Sequence, residues 1–149
     1  MTTTITPETS GDAIAALYAD VQDFYARHMR LIDEGRVEEW GDTFTVDATI
    51  SNNANPHPAH GREAIVAVIH RAQAELERRG VQHRHWMGML TVEPEADGTV
   101  RATSYALLMA VSRGGAPLID RSTRCEDLLV RVDGDWQIRV RRVHHDAMP

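Results

Sequence analysis

His85 lies in the middle of the segment Gln82-His83-Arg84-His85-Trp86-Met87-Gly88-Met89-Leu90-Thr91-Val92. Read as a strand, this segment alternates its side chains between two faces. His83, His85, Met87 and Met89 then share one face, and Arg84, Trp86, Gly88 and Leu90 the other. A titratable ring among methionines describes an apolar pocket with one polar tool, which is how small-molecule sites are commonly built. Histidine takes or donates a proton near neutral pH, where its unperturbed pKa lies. A carboxylate beside it would fix its tautomer and stabilise its cation. The alternative is a core histidine bonded to backbone.

Other residues invite chemistry with weaker patterns. Asn52, Asn53 and Asn55 precede two X-Pro steps and could donate hydrogen bonds to ligand oxygens at a pocket mouth. Asn52 is the best placed, because it ends a strand. Tyr25 and His28 belong to an apolar helical stripe with Tyr18 and Met29, and either could present a polar tip to the pocket. Cys125 reads as pocket wall, since a lone buried cysteine is usually a small hydrophobe. His57 and His60 are three apart, but Pro56 and Pro58 make their setting irregular. The rings of His144 and His145 point to opposite faces of a strand. No metal is expected at either place. Arg121, Arg124, Arg131, Arg139, Arg141 and Arg142 interleave with Asp120, Glu126, Asp127 and Asp133. Cross-strand ion pairs on the outer sheet face account for that pattern.

Composition narrows the classes. A chain of 149 residues is most simply one domain. A hydrophobic fraction of 42% and a charged fraction of 26% are ordinary for a globular protein. The net charge of −6 gives a nucleic-acid partner no electrostatic encouragement. One cysteine allows no intrachain disulfide and gives no sign of an oxidising compartment. The first ten residues lack a basic region and an apolar run, so no secretory signal is expected. No apolar stretch approaches the roughly 20 residues that span a bilayer, and the cytoplasm is the expected location. All sixteen basic residues are arginine. Schiff-base catalysis by a lysine amine is therefore excluded, and no cofactor is expected.

These side chains need elements to hold them. Residues 1–11 read as a flexible tail and 12–149 as one domain. A helix over 12–33 follows from Ile14, Leu17, Val21, Phe24, Met29 and Ile32 at spacings of three and four. Ser10 or Asp12 caps it, and Gly35 ends it. A short helix around Val37–Trp40 reaches Phe44, and 47–51 is a short strand. The stretch 52–61 is a loop, because asparagine, proline and glycine break regular structure. A helix over 62–79 would bury Ile65, Val66, Ile69, Ala72 and Leu76, and Gly80 stops it. Strands cover 82–93, 99–112, 119–132 and 135–145, joined by turns at Asp97-Gly98, Gly114-Gly115 and Asp133-Gly134. Helices followed by an antiparallel meander indicate an α+β fold, with helices on one face of a strongly curved sheet enclosing a pocket.

This order resembles the NTF2-like cone fold, in its SnoaL-like and scytalone-dehydratase-like group. The matching residues are Asp33-Glu34-Gly35 with Trp40 and Phe44, Val46-Asp47-Ala48-Thr49-Ile50, and Gly61-Arg62-Glu63-Ala64-Ile65. His85 and Asp133-Gly134-Asp135-Trp136-Gln137-Ile138 complete them. The resemblance implies that Asp33 and His85 form the Asp–His pair that moves a proton in the dehydratase branch. A helix C-terminus disfavours an acidic group, which gives Asp33 reason to hold such a partner. Ile32 and Asn52 stand where that branch has water-binding tyrosines. Ser104 stands for a second histidine, and Thr123 and Cys125 for a serine and an asparagine. These departures imply a substrate other than scytalone.

The resulting expectation is a cofactor-independent dehydratase, cyclase or isomerase acting on a hydrophobic, carbonyl-bearing small molecule. The resemblance, with the arginine-only composition, suggests aromatic polyketide biosynthesis in an actinobacterial-type secondary pathway. Two other readings stay open. One is a non-catalytic binding or accessory protein that protects an intermediate or supports a partner enzyme. The other is the β-subunit of a ring-hydroxylating dioxygenase, which shares this fold. The fold also implies a homodimer, with Trp86, Leu90, Tyr105, Leu107 and Leu128 supplying apolar area on the outer face. Size exclusion with light scattering at micromolar concentration should give twice the chain mass, and a monomer would contradict it.

Overall fold

A computed structural model describes residues 10–149. Helix α1 spans Gly11–Asp33, and the Ser10 side chain caps it by accepting from the Ala13 N–H at 3.3 Å. The helix thus takes in Gly11, which the sequence places in the tail. Residues 1–9 of that tail lie outside the described residues. Val21, Phe24, Tyr25, His28, Met29 and Ile32 form the buried stripe of α1. Helix α2 covers Val37–Gly41 and stops short of Phe44, which opens strand β1, Phe44–Asn52. The Ile138 N–H donates to the Thr43 carbonyl at 2.8 Å, and this claims the segment for the sheet.

The expected loop after Asn52 is a second strand, β2, Asn55–His60, antiparallel to β1. It lies at the edge of the sheet. An edge strand tolerates Pro56 and Pro58, because its outer N–H groups need no partner. Helix α3, Arg62–Arg79, ends at Gly80 in the left-handed conformation, φ 65°. Of its five expected core residues only Ile65 is buried. Ile69 and Ala72, with Ala64, Ala67 and Val68, line a cavity instead.

Strands β3 (Val81–Pro94), β4 (Val100–Ser112), β5 (Leu118–Val132) and β6 (Asp135–His145) form an antiparallel meander. Strand β1 closes on β6 in parallel, so the order is β2-β1-β6-β5-β4-β3. The helices pack on one face of this curved, unclosed sheet. Asp133 and Gly134 turn β5 into β6 with φ of 51° and 86°, the left-handed pair that a tight hairpin requires.

Irregularities in register bend the ladders and reassign side chains. Gly88 pairs with Tyr105 but Thr91 with Thr103, so β3 carries one extra residue. Met89, at φ 52°, takes up the bulge and is 80% exposed. Leu90 turns inward and is buried. Both are corrections: Met89 is not a pocket residue, and Leu90 does not belong to the outer face. Trp86 and Tyr105 remain exposed there.

The core is Val21, Phe24, Trp40, Phe44, Leu129 and Ile138, among others, where α1 and α2 meet the sheet. Leu129 is fully buried. Leu129→Ala should lower stability by about 2–5 kcal/mol in urea unfolding, through lost burial and the cavity left behind. Val46→Ala, at a position 75% exposed, should change it by less than about 0.5 kcal/mol.

Candidate active site

Asp33 ends α1, and His85 lies early in β3. Asp33 Oδ1 is 2.6 Å from His85 Nδ1. The main-chain N–H of His85 also donates to the carboxylate, 3.0 Å to Oδ2 and 3.2 Å to Oδ1. Both groups of one residue therefore hold the same carboxylate, whose side chain is 7% exposed against 23% for the imidazole. A carboxylate only accepts, so Nδ1 carries a hydrogen and Nε2 keeps the lone pair of the neutral ring. Nε2 has no protein partner among the described residues. His85 lines a cavity of about 720 Å³. It also borders a cleft of about 260 Å³ shared with Tyr25, Asp33 and Met87.

The cavity lies between α3, the β1–β2 edge and the inner face of β4–β6. Ile32, Ile50, Ile65, Ile69 and Leu108 supply apolar wall. Asn52, His57, His60, Arg71, Arg121 and His145 bring polar groups towards its rim, and Thr123, Cys125 and Arg141 form deeper wall. Asn52 Oδ1 accepts from the Ala54 N–H at 2.9 Å. The Thr123 hydroxyl donates to the Ala106 carbonyl at 2.9 Å. Burial raises the pKa of Cys125, which keeps it a thiol rather than a nucleophilic thiolate. No group of three histidine, cysteine or acidic side chains among the described residues is placed to hold a metal ion.

A buried polar network stands beside the pair. Arg141 Nε donates to Asp127 Oδ1 at 2.9 Å, and Nη2 to Oδ2 at 2.8 Å. The Tyr25 hydroxyl donates to Asp127 Oδ2 at 2.8 Å. Arg141 Nη1 lies 3.0 Å from His28 Nε2. A guanidinium only donates, so Nε2 accepts and His28 is neutral with its hydrogen on Nδ1. That hydrogen goes to Thr43 Oγ1 at 2.8 Å, and the Thr43 hydroxyl donates to the Trp40 carbonyl. Burial, then the charge of Arg141, holds the His28 pKa well below its ordinary value. Burial also opposes the charge on Arg141, but Asp127 outweighs it and the guanidinium pKa is raised. Burial, then Asp127, raises that of Tyr25.

Several sequence expectations change here. Asp127 and Arg141, assigned to an outer-face charge pattern, are 1% and 7% exposed and lie inside. His28 does not show its tip to the cavity, because both ring nitrogens are engaged. Tyr25 and Met87 border only the smaller cleft. His83 lines neither space, and its Nε2 is 4.0 Å from Asp120 Oδ2. Burial lowers its pKa first of all. Ser104 is buried opposite Cys125 without reaching the cavity. Period two did carry a signal for Asp127: Thr123, Cys125 and Asp127 share one face of β5. Arg141 was masked by a bulge. Leu129 pairs with Ile138 and Leu128 with Val140, so β6 has an extra residue at Arg139. Counting by two from the buried Ile138 then lands on Val140 and Arg142 rather than on Arg141.

The SnoaL-like domain family matches residues 13–142. ActVI-ORFA from Streptomyces coelicolor is similar, at 33% identity and a TM-score of 0.83, over 91% of this chain and 98% of that one. Aln2 from another Streptomyces strain is 35% identical, with a TM-score of 0.81, over 88% and 91%. A Catenulispora acidiphila protein in complex with S-DNPA is 40% identical, with a TM-score of 0.78, over 89% and 95%. No curated protein matches significantly. The architecture is that of the NTF2-like cone.

The neutral, buried His28 makes stability depend on pH. Its folded pKa lies well below the ordinary 6.5, so as pH falls through that value the unfolded chain takes up a proton and the folded chain does not. Stability is full above it and declines below, with on the order of 1 kcal/mol lost from this group between pH 7.5 and 5.5. Urea unfolding at the two values should show that loss. His83 and His145, also lowered chiefly by burial, act in the same direction, so the smaller loss expected in His28→Gln isolates His28.

Proposed function

The chain belongs to the SnoaL-like domain family, and we propose that it is a cofactor-independent enzyme acting on a hydrophobic, carbonyl-bearing small molecule. Dehydration, cyclisation and isomerisation all begin by removing a proton beside a carbonyl, and one positioned base in a dry cavity serves that step. The observation that carries the reading is His85, with Nδ1 held by Asp33 at 2.6 Å and the residue in the lining of the large cavity. In this reading Nε2 takes the proton, and Asp33 holds the ring orientation and stabilises the imidazolium.

The bound S-DNPA of the Catenulispora relative supports a small-molecule ligand here. The Streptomyces relatives favour a secondary-metabolite setting, and aromatic polyketides suit the volume and apolar wall of the cavity. No helix among the described residues is long and apolar enough to cross a membrane, and a cytoplasmic homodimer is the proposed form. Trp86, Met89 and Tyr105, all exposed on the outer face, supply an apolar patch for the second copy.

One observation favours a second reading, a non-catalytic ligand carrier. Ile32 and Asn52 both stand in the cavity wall and present no phenol to position water. Deuterium uptake from D2O beside the carbonyl of 2-tetralone, an apolar bicyclic ketone, separates the two. The wild-type chain should accelerate uptake, and His85→Ala should slow it about 100- to 10,000-fold with its circular dichroism unchanged. Asp33→Asn should cause a smaller loss and bind the ketone nearly as well. Full activity in a folded His85→Ala variant would leave the carrier reading.

A further inference from the structure

A base beside a carbonyl needs a partner at the oxygen. When the proton leaves carbon, the C–H electron pair becomes the new C=C bond and the carbonyl π pair moves onto oxygen. No group departs and no oxidant is needed; the proton rests on His85 Nε2. The charge gathering on that oxygen sets the barrier, and fixed hydrogen-bond donors in a dry site lower it most.

We propose that Arg141 binds the ligand's carbonyl oxygen and holds the charge this oxygen gains when His85 takes the adjacent proton. The proposal rests on the reading of His85 as the base. Arg141 lines the same cavity as His85, and its side chain is 7% exposed. A guanidinium carries five N–H groups. Three are engaged by Asp127 and His28, which leaves two for a ligand. No aspartate or glutamate lines this cavity, and the nearby Asp127 carboxylate is itself held by the Nε and Nη2 side of Arg141.

Three other polar groups of the wall are worse candidates. Thr123 spends its hydrogen on Ala106. Cys125 is a buried neutral thiol, a weak donor. Arg121 is 55% exposed, where water screens its charge. Tyr25, Asp127 and His28 are positioning residues in this scheme. Asp127 takes the side of the fork formed by Nε and Nη2, Tyr25 anchors Asp127, and His28 receives Nη1. The ion pair is neutral overall, so the fold buries no uncompensated charge there.

The test uses 2-naphthol, whose ionised form mimics an enolate and has its own absorbance spectrum, with 2-methoxynaphthalene as the partner that cannot ionise. The wild-type chain should bind naphtholate at least tenfold more tightly than neutral naphthol. The paired variant Asp127→Asn with Arg141→Gln, which leaves no buried charge unpaired, should lose that preference and still bind 2-methoxynaphthalene. His85→Ala should keep it, because the preference belongs to Arg141 and not to proton transfer onto His85. Retention of the preference in the folded paired variant would overturn the proposal. So would equal wild-type affinity for 2-naphthol and 2-methoxynaphthalene across the ionisation of naphthol, a measurement that stands even if the variant does not fold. Failure of the base assignment shows separately, as undiminished deuterium uptake into 2-tetralone by His85→Ala.

Discussion

Arg141 brings a full positive charge into the interior, and much of the structure is arranged around its accommodation. An unpaired guanidinium at that depth would cost several kcal/mol in lost hydration. Asp127, on the neighbouring strand, answers it in charge and in bidentate geometry. The arrangement then recruits α1 through Tyr25 and His28, and the α2–β1 junction through Thr43. A greasy interface alone would let a helix slide by small amounts. Three directional bonds, from Tyr25 to Asp127 and from His28 to Arg141 and Thr43, fix its height and rotation.

That fixed height is what brings the catalytic candidates together. Asp33 lies five residues beyond His28 on α1, so a helix held at His28 and Tyr25 delivers its last residue to β3. A carboxylate at a helix C-terminus faces an unfavourable dipole. Here the main-chain N–H and the ring of His85 offset that cost. The same contact assigns the His85 tautomer and leaves Nε2 as the nitrogen free for a ligand. Positioning and protonation are thus one event, set by helix placement.

The cavity follows from curvature. Bulges in β3, β4–β5 and β6 bend the meander away from α3, which buries only Ile65 in the core and turns its small residues to open space. Edge strand β2, with its prolines, closes the remaining side and contributes His57 and His60 to the rim. A flat sheet would have met α3 directly and left no room for a ligand.

The sequence by itself determined the α+β class, the extents of the two long helices and the meander, because 3.6 and 2.0 periodicities, glycine stops and Asp-Gly turns are local properties. The pairing of Asp33 with His85 was also legible, but only through the chain's resemblance to the scytalone-dehydratase-like group. Tertiary structure decided the rest. Strand β2 exists because β1 offers it an edge, which Asn55-Pro56-His57-Pro58 does not announce. Met89 points outward and Leu90 inward because one extra residue in β3 reverses the alternation, and Arg141 is buried for the same reason in β6. A bulge moves every later side chain to the other face, yet it is settled by the partner strand's register. Whether an arginine lies in water or in the core depends on an aspartate fourteen residues away meeting it across that register.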